Sequence, residues 1–331
     1  MKVRSLAAGL LILGLALLLG LAPPRPAAAA DESLKVDRLV FPVTLSDGQT
    51  YSMVGYLYYH GSFHERTLQV LVSEATYNHR YWDLPTIDGH AYSYADYMAE
   101  QHYAVLALDT LGSGESSKPD GDFLTLDETA SGLHQVLARL HTASNPTGYA
   151  FPQIALVGDS MGGVIAVYEQ GTYHDANALV TTALSHVPHP LGFDISFINL
   201  LEQWPYFTFP LDIRDALFYN PGDADPAVIN YDNANLADTF SRGQLNTVLP
   251  ALDDNSLTHV DQVTGPVLVQ LGENDPLFPS SLAPGEAAFW THASSVTVQS
   301  LPQVGHSFNT HLDNATGWAQ LNTWLQATLA H

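Results

Sequence analysis

The sequence predicts an α/β fold: a mostly parallel, eight-stranded sheet flanked by helices, with a lid or cap insertion. Three observations lead there. Short, mostly apolar runs alternate with segments of helical spacing, which is the pattern of strands covered on both faces by helices. A turn signal joins the first two strands into an antiparallel hairpin, so the sheet is mixed. Between Val187 and Val263 the alternation breaks, and that stretch is rich in Pro, Asn, Asp and aromatic residues.

Each element has its own signal. Val36 to Thr44 and Tyr51 to Tyr59 are rich in β-branched and aromatic residues, with Ser46-Asp47-Gly48 as the turn between them. Leu68 to Ser73 reads as a short buried strand, Tyr92 to Gln101 as a helix and Tyr103 to Asp109 as a second buried strand. Leu126 to His141 has helical spacing, with Leu133, Val136, Leu137 and Leu140 on one face. Ile154 to Gly158 is a third buried strand, followed by a helix from Met161 to Gln170 that Gly171 closes. Ala178 to Leu184, Val267 to Leu271 and Ser295 to Leu301 complete the strands, and Trp318 to Leu329 is the closing helix. In open α/β sheets the site lies at the carboxyl ends of the strands. The insertion at about 187–263 is expected to sit there as a lid.

Composition bounds the function. The chain has 331 residues, a formal net charge of −23 and no cysteine. Hydrophobic content of 46% against 14% charged residues excludes a disordered polyelectrolyte. Without cysteine there is no disulfide framework, thiolate metal site or cysteine nucleophile. Lys35 and Lys118 are the only lysines after position 2, and so acidic a surface argues against nucleic acid, whose phosphates need clustered Lys and Arg. No protein partner is inferred.

Residues 1–30 read as a cleavable signal peptide. Lys2 and Arg4 precede the apolar run Leu6 to Leu21, and Ala28-Ala29-Ala30 offers small residues before Asp31. The competing reading is an uncleaved anchor, but the run is shorter than the ~20 residues of a spanning helix. The expectation is a secreted or periplasmic domain over 31–331, with no stable membrane span after cleavage.

The chemistry begins at Gly158-Asp159-Ser160-Met161-Gly162, a G-x-S-x-G sequence between a strand and a helix. That context makes it a nucleophile elbow: the turn is so sharp that the positions two before and two after the serine must be small. A serine hydroxyl needs a base. His306, in Val304-Gly305-His306-Ser307 after the last strand, has the required position; His311, His331, His186 and His189 are rivals. A carboxylate must then orient the imidazole. Asp275, after the strand Val267 to Leu271, is the choice, and Glu273 is the runner-up. The order Ser160, Asp275, His306 is the Ser…Asp/Glu…His order of α/β-hydrolases.

On these residues the chain, over 35–331, resembles the α/β-hydrolase superfamily, as a secreted serine esterase- or lipase-like member. Asp109-Thr110-Leu111-Gly112-Ser113-Gly114-Glu115-Ser116 is similar to that family's D-x-x-G-x-G-x-S loop, which implies a turn-forming role for Asp109. Tyr77-Asn78 and Tyr81-Trp82-Asp83 look similar to secreted actinomycete members. The resemblance implies an oxyanion hole made by the backbone N–H groups of Ala75 and Met161. It also shows a departure: Ser73-Glu74 stands where the family has His-Gly. An ionised Glu74 pointing inward would oppose an oxyanion, where one donor is worth roughly 3 kcal/mol. Glu74 is therefore expected to point away or to pair with another group.

Eight aromatics, Phe193, Phe197, Trp204, Tyr206, Phe207, Phe209, Phe218 and Tyr219, are expected to divide between an apolar substrate pocket and the lid's own core. Asn314-Ala315-Thr316 matches a glycosylation sequon and is read as chance. His186 and His189 lack a third ligand at supporting spacing, so no metal site and no cofactor are expected. The resulting reading is a secreted serine hydrolase that cleaves small-molecule or lipid-like carboxylic esters through an acyl-enzyme. Two alternatives stay open: serine chemistry on amide, lactone or C–C bonds, and a catalytically silent binding protein of the same fold.

Overall fold

The first two runs of β-branched and aromatic residues suit a pleated ladder. They form β1 (Leu34–Thr44) and β2 (Thr50–His60), paired antiparallel from Leu34 opposite His60 to Thr44 opposite Thr50. The structure, a computed structural model, describes residues 33–190 and 203–329. The expected signal peptide, Phe193, Phe197 and His331 lie outside the described residues.

After the hairpin come β3 (Leu68–Val72), α1 (Tyr94–Glu100), β4 (Ala104–Asp109), α2 (Leu126–Leu140), β5 (Ile154–Asp159), α3 (Met161–Thr172) and β6 (Ala178–Thr182). The expected insertion contains β7 (Tyr206–Phe207), α4 (Leu211–Phe218), α5 (Pro226–Asn235), β8 (Phe240–Ser241) and α6 (Arg242–Asp253). The chain then returns through β9 (Pro266–Gly272), α7 (Ala283–Glu286), β10 (Ser295–Leu301) and α8 (Asn314–Thr328). Eight strands share one sheet in the order β1-β2-β4-β3-β5-β6-β9-β10. The β1–β2 and β2–β4 pairs are antiparallel, and the other neighbours are parallel.

The two-residue period of a strand sorts the central side chains onto two faces. On β4, Ala104, Leu106 and Leu108 join the core under α2 and α3, while Val105 and Ala107 join the core under α1 and α8. On β5, Ile154 and Leu156 go one way, and Ala155 and Val157 the other. Burial on both faces is why these strands read as continuous apolar runs. No described helix is long and apolar enough to cross a membrane.

Several boundaries shift by one or two residues from the sequence expectation, and two differ for a reason visible in the packing. Helix α3 continues through Gly171 instead of closing there. That glycine serves close packing, since a Cβ would lie 2.4 Å from the His259 carbonyl oxygen. Helix α8 starts at Asn314 rather than Trp318, so the sequon is folded in. The Asn314 amide donates to the carbonyls of Ala91 and Asn309, each at 3.1 Å, and the residue is buried.

Candidate active site

The elbow takes its shape from two glycines. A Cβ at Gly158 would lie 2.3 Å from the Gly162 carbonyl oxygen, and one at Gly162 would lie 2.2 Å from the Val72 carbonyl oxygen. Helix α3 can therefore start directly against β3 and β5. Between the glycines Ser160 is forced to φ 49°, ψ −115°, a strained conformation for a residue with a Cβ. Its N–H donates to the Thr182 carbonyl at 2.9 Å, which fixes the turn to the neighbouring strand.

Ser160 follows β5, Asp275 follows β9 and His306 follows β10, so all three come from the carboxyl edge of the sheet. A carboxylate can only accept, which puts the imidazole proton on Nδ1. His306 Nδ1–H donates to Asp275 Oδ2 at 2.9 Å, and the Ser160 hydroxyl donates to His306 Nε2 at 2.8 Å. The other oxygen of Asp275 accepts from the backbone N–H groups of Leu277, at 2.7 Å, and Phe278, at 3.1 Å. Burial works against the His306 cation, but the charge and hydrogen bond of Asp275 outweigh it and raise the imidazole pKa to about 9. The rivals fall elsewhere. Glu273 accepts from the Gln303 N–H on an exposed loop. The buried His186 pairs with Glu286 at 2.7 Å.

His311 has a role that its place in the sequence did not reveal. Its Nδ1–H donates to the Ser307 carbonyl at 2.8 Å, so Nε2 is free to accept from the backbone N–H groups of Gly305, at 3.0 Å, and Asn220, at 2.9 Å. A proton on Nε2 would break both bonds. Burial lowers the His311 pKa to about 4, which keeps the ring neutral. This ring pins the His306 loop to the segment after α4. The Ser307 N–H, donating to the Phe218 carbonyl at 2.9 Å, is a second tie.

Ala75 and Met161 lie together with Ser160 and His306 on one open cavity. Met161 is the first residue of α3, where a backbone N–H has no partner within the helix. The remaining wall is apolar. Leu217, Phe218, Phe209 and Phe240 contribute, with Leu245, Val248, Leu249 and Leu252 along α6. Most of this lining comes from the insertion. Of the described aromatics expected there, Phe209 and Phe218 face the cavity. Phe207 packs edge-on against Phe240, and Tyr206 donates to the Pro119 carbonyl. Tyr219 donates to the buried Asp232, and Trp204 is exposed.

Glu74 departs from one half of the expectation: it does not point away, and the group it meets is His306. It is buried and lines the cavity, with Oε2 3.6 Å from His306 Nε2, and among the described residues neither carboxyl oxygen has a hydrogen-bond partner. Burial, and next the nearby Asp159, push its pKa well above the ordinary carboxylate range. Its backbone is dictated by neighbours: the carbonyl edge of β3 meets Gly162, and the following Thr76 is held by Arg214. None of this is readable from a two-residue motif. Asp109, by contrast, behaves as a turn-former. It accepts from the His79 and Glu115 backbone N–H groups, each at 2.8 Å, and is fully buried. His60, Asp96 and Glu100, and separately His134, Glu169 and Asp175, bring ligand-type atoms within 4.8 Å of one another, but neither group lines the cavity.

The model of the serine aminopeptidase S33 hydrolase family matches residues 89–313. No curated protein sequence matches the chain. Among solved structures, a soluble variant of monoglyceride lipase from Saccharomyces cerevisiae superposes with a TM-score of 0.68 at 13% identity, covering 93% of this chain and 99% of that one. A monoacylglycerol lipase from Paleococcus ferrophilus gives 0.61 at 13% identity, covering 89% and 99%. A thermophilic esterase from Thermogutta terrifontis gives 0.60 at 16% identity, covering 87% and 98%.

Proposed function

Because the chain belongs to the serine aminopeptidase S33 family of α/β hydrolases, we propose that it is a secreted serine hydrolase that cleaves carboxylic esters through an acyl-enzyme. The observation that carries this reading is the hydrogen-bonded chain from Ser160 through His306 to Asp275 at the edge of an apolar cavity. His306 takes the hydroxyl proton as Ser160 Oγ attacks the ester carbonyl. The backbone N–H groups of Ala75 and Met161 hold the oxyanion, helped by the positive end of α3. His306 then protonates the departing alcohol. Water, activated by the same ring, releases the acid, and Asp275 orients the ring throughout.

The apolar wall favours an ester with an apolar acyl or alcohol part. The structural neighbours named as an esterase and as lipases agree with ester chemistry. In this reading the insertion serves as a lid over the cavity, residues 1–30 direct export, and the exported domain begins at Asp31.

The test is labelling by a fluorophosphonate and turnover of short-chain nitrophenyl esters, with Ser160→Ala as control. Wild type should label and turn over, and the variant should lose roughly 10⁴-fold or more in kcat. Folded wild type that does neither would favour a silent binding protein, a reading that the inward carboxyl of Glu74 makes worth separating. Labelling together with turnover of amides or lactones but not esters would redirect the substrate class.

A further inference from the structure

Apart from Ser160 and His306, Glu74 is the sole polar side chain among the described residues lining the cavity. Both its oxygens are sealed from solvent and, among the described residues, neither has a hydrogen-bond partner. A buried polar group left unsatisfied is destabilising. One that faces a substrate cavity gains its partner when substrate arrives. We propose that Glu74 is a further catalytic residue, whose carboxyl group holds, against His306 Nε2, the oxygen that leaves in acylation and the water that attacks in deacylation. The proposal rests on ester hydrolysis at Ser160.

Glu74 Oε2 and His306 Nε2 are 3.6 Å apart, close enough for one oxygen to bridge them at about 2.9 Å from each once the carboxyl, whose oxygens are closed to solvent in the free protein, turns toward the cavity as substrate binds. His306 must reach that same oxygen in each half-reaction, since it protonates the leaving group and deprotonates the water.

The protonation state suits both tasks. Asp159, His306, Arg214 and Asp232 are the charged groups around Glu74, and Tyr77 and Tyr81 lie close by. Burial with Asp159 at hand keeps the carboxyl protonated. A neutral carboxyl offers one donor and one acceptor. In acylation its O–H donates to the alkoxy oxygen as the acyl C–O bond breaks, and the proton on His306 Nε2 passes to that oxygen and leaves with the alcohol. In deacylation one water proton goes to Nε2, and the other is donated as a hydrogen bond to a lone pair of the same carboxyl oxygen, Oε2. The water oxygen joins the acyl carbon, the bond to Ser160 Oγ breaks, and Oγ recovers its proton from His306. Glu74 keeps its own proton throughout. A glycine at this position would leave the oxygen to His306 alone.

The experiment compares wild type, Glu74→Gln and Glu74→Leu, using nitrophenyl butyrate turnover, fluorophosphonate labelling and thermal unfolding. All three should fold and label, because Ser160 is intact. Glu74→Leu should lose roughly tenfold or more in kcat, with KM within about threefold. Glu74→Gln, which keeps a donor and an acceptor, should retain most of the wild-type kcat. If Glu74→Leu does not fold, Glu74→Met serves in its place. Labelled wild type with Glu74→Leu turnover within about twofold overturns the role of Glu74 alone. Equal losses in folded Glu74→Gln and Glu74→Leu overturn it too, because packing then explains both. Folded wild type that takes no fluorophosphonate overturns the ester reading and this proposal together.

Discussion

Thr76 adopts φ 65°, a region that a β-branched residue rarely enters. The surroundings impose it: Arg214 Nη1 donates to Thr76 Oγ1 at 2.6 Å, and the Asp238 N–H donates to the Thr76 carbonyl at 2.8 Å. The loop that presents Ala75 thus keeps a tight turn without the glycine that usually supplies one, and strain of order 1–3 kcal/mol is held by partners on the insertion. His306 yields a prediction at the same scale. As the general base of the proposed reaction it must be neutral, and its pKa is raised to about 9. The neutral fraction falls as pH falls, so kcat/KM should climb by about tenfold per pH unit from pH 6 to pH 8 and level off near pH 9. A pH–rate profile that stays flat down to pH 6 contradicts this. The same raised pKa adds stability below the ordinary histidine value near 6.5, and that stability is lost as pH rises through about 9.

Helices α4 and α5 are bound to the site by charge buried out of water. Arg214 and Asp232 are each 0% exposed and meet at 2.6 Å. The second oxygen of Asp232 accepts from the hydroxyls of Tyr77 and Tyr219. The guanidinium also lies 4.4 Å from the Tyr77 ring centroid. Such a pair says little about net stability, but removing one partner strands the other in the interior. Arg214→Met should therefore lower unfolding free energy by about 3–5 kcal/mol in urea titrations. Adding Asp232→Leu should recover part of that loss. A double variant no more stable than the single one counts against a stranded charge as the cause. The network also explains why the insertion is more than a cover: it buttresses the loop just after Ala75, while its residues 218–220 hold the His306 loop.

Over the whole molecule, a net charge of −23 spreads self-repulsion across the surface. Exposed pairs such as Arg38–Glu115 offset little of it. Screening lengths fall from about 30 Å at 0.01 M salt to about 8 Å at physiological ionic strength. The thermal midpoint should accordingly rise by a few degrees between 0.01 M and 0.2 M sodium chloride, measured at constant pH. A midpoint that falls over this range would show that attraction between charges outweighs repulsion. The acidic surface and the double-faced sheet are separable features, since charge governs association and solubility whereas burial governs fold.

The residue order alone determined the sheet, its hairpin edge, the elbow at Ser160 and the positions of Asp275 and His306. These follow from local physics: strand and helix periods, turn residues, and a strand-to-helix turn that tolerates only small neighbours two places away. It could not determine the inward turn of Glu74, the pinning role of His311, or the joining of Arg214 to Asp232 and Thr76. Those depend on contacts between segments far apart in the chain, 138 residues in the case of Arg214 and Thr76. A side chain's direction and charge state are set by what the rest of the fold packs around it, and only the tertiary structure places those neighbours.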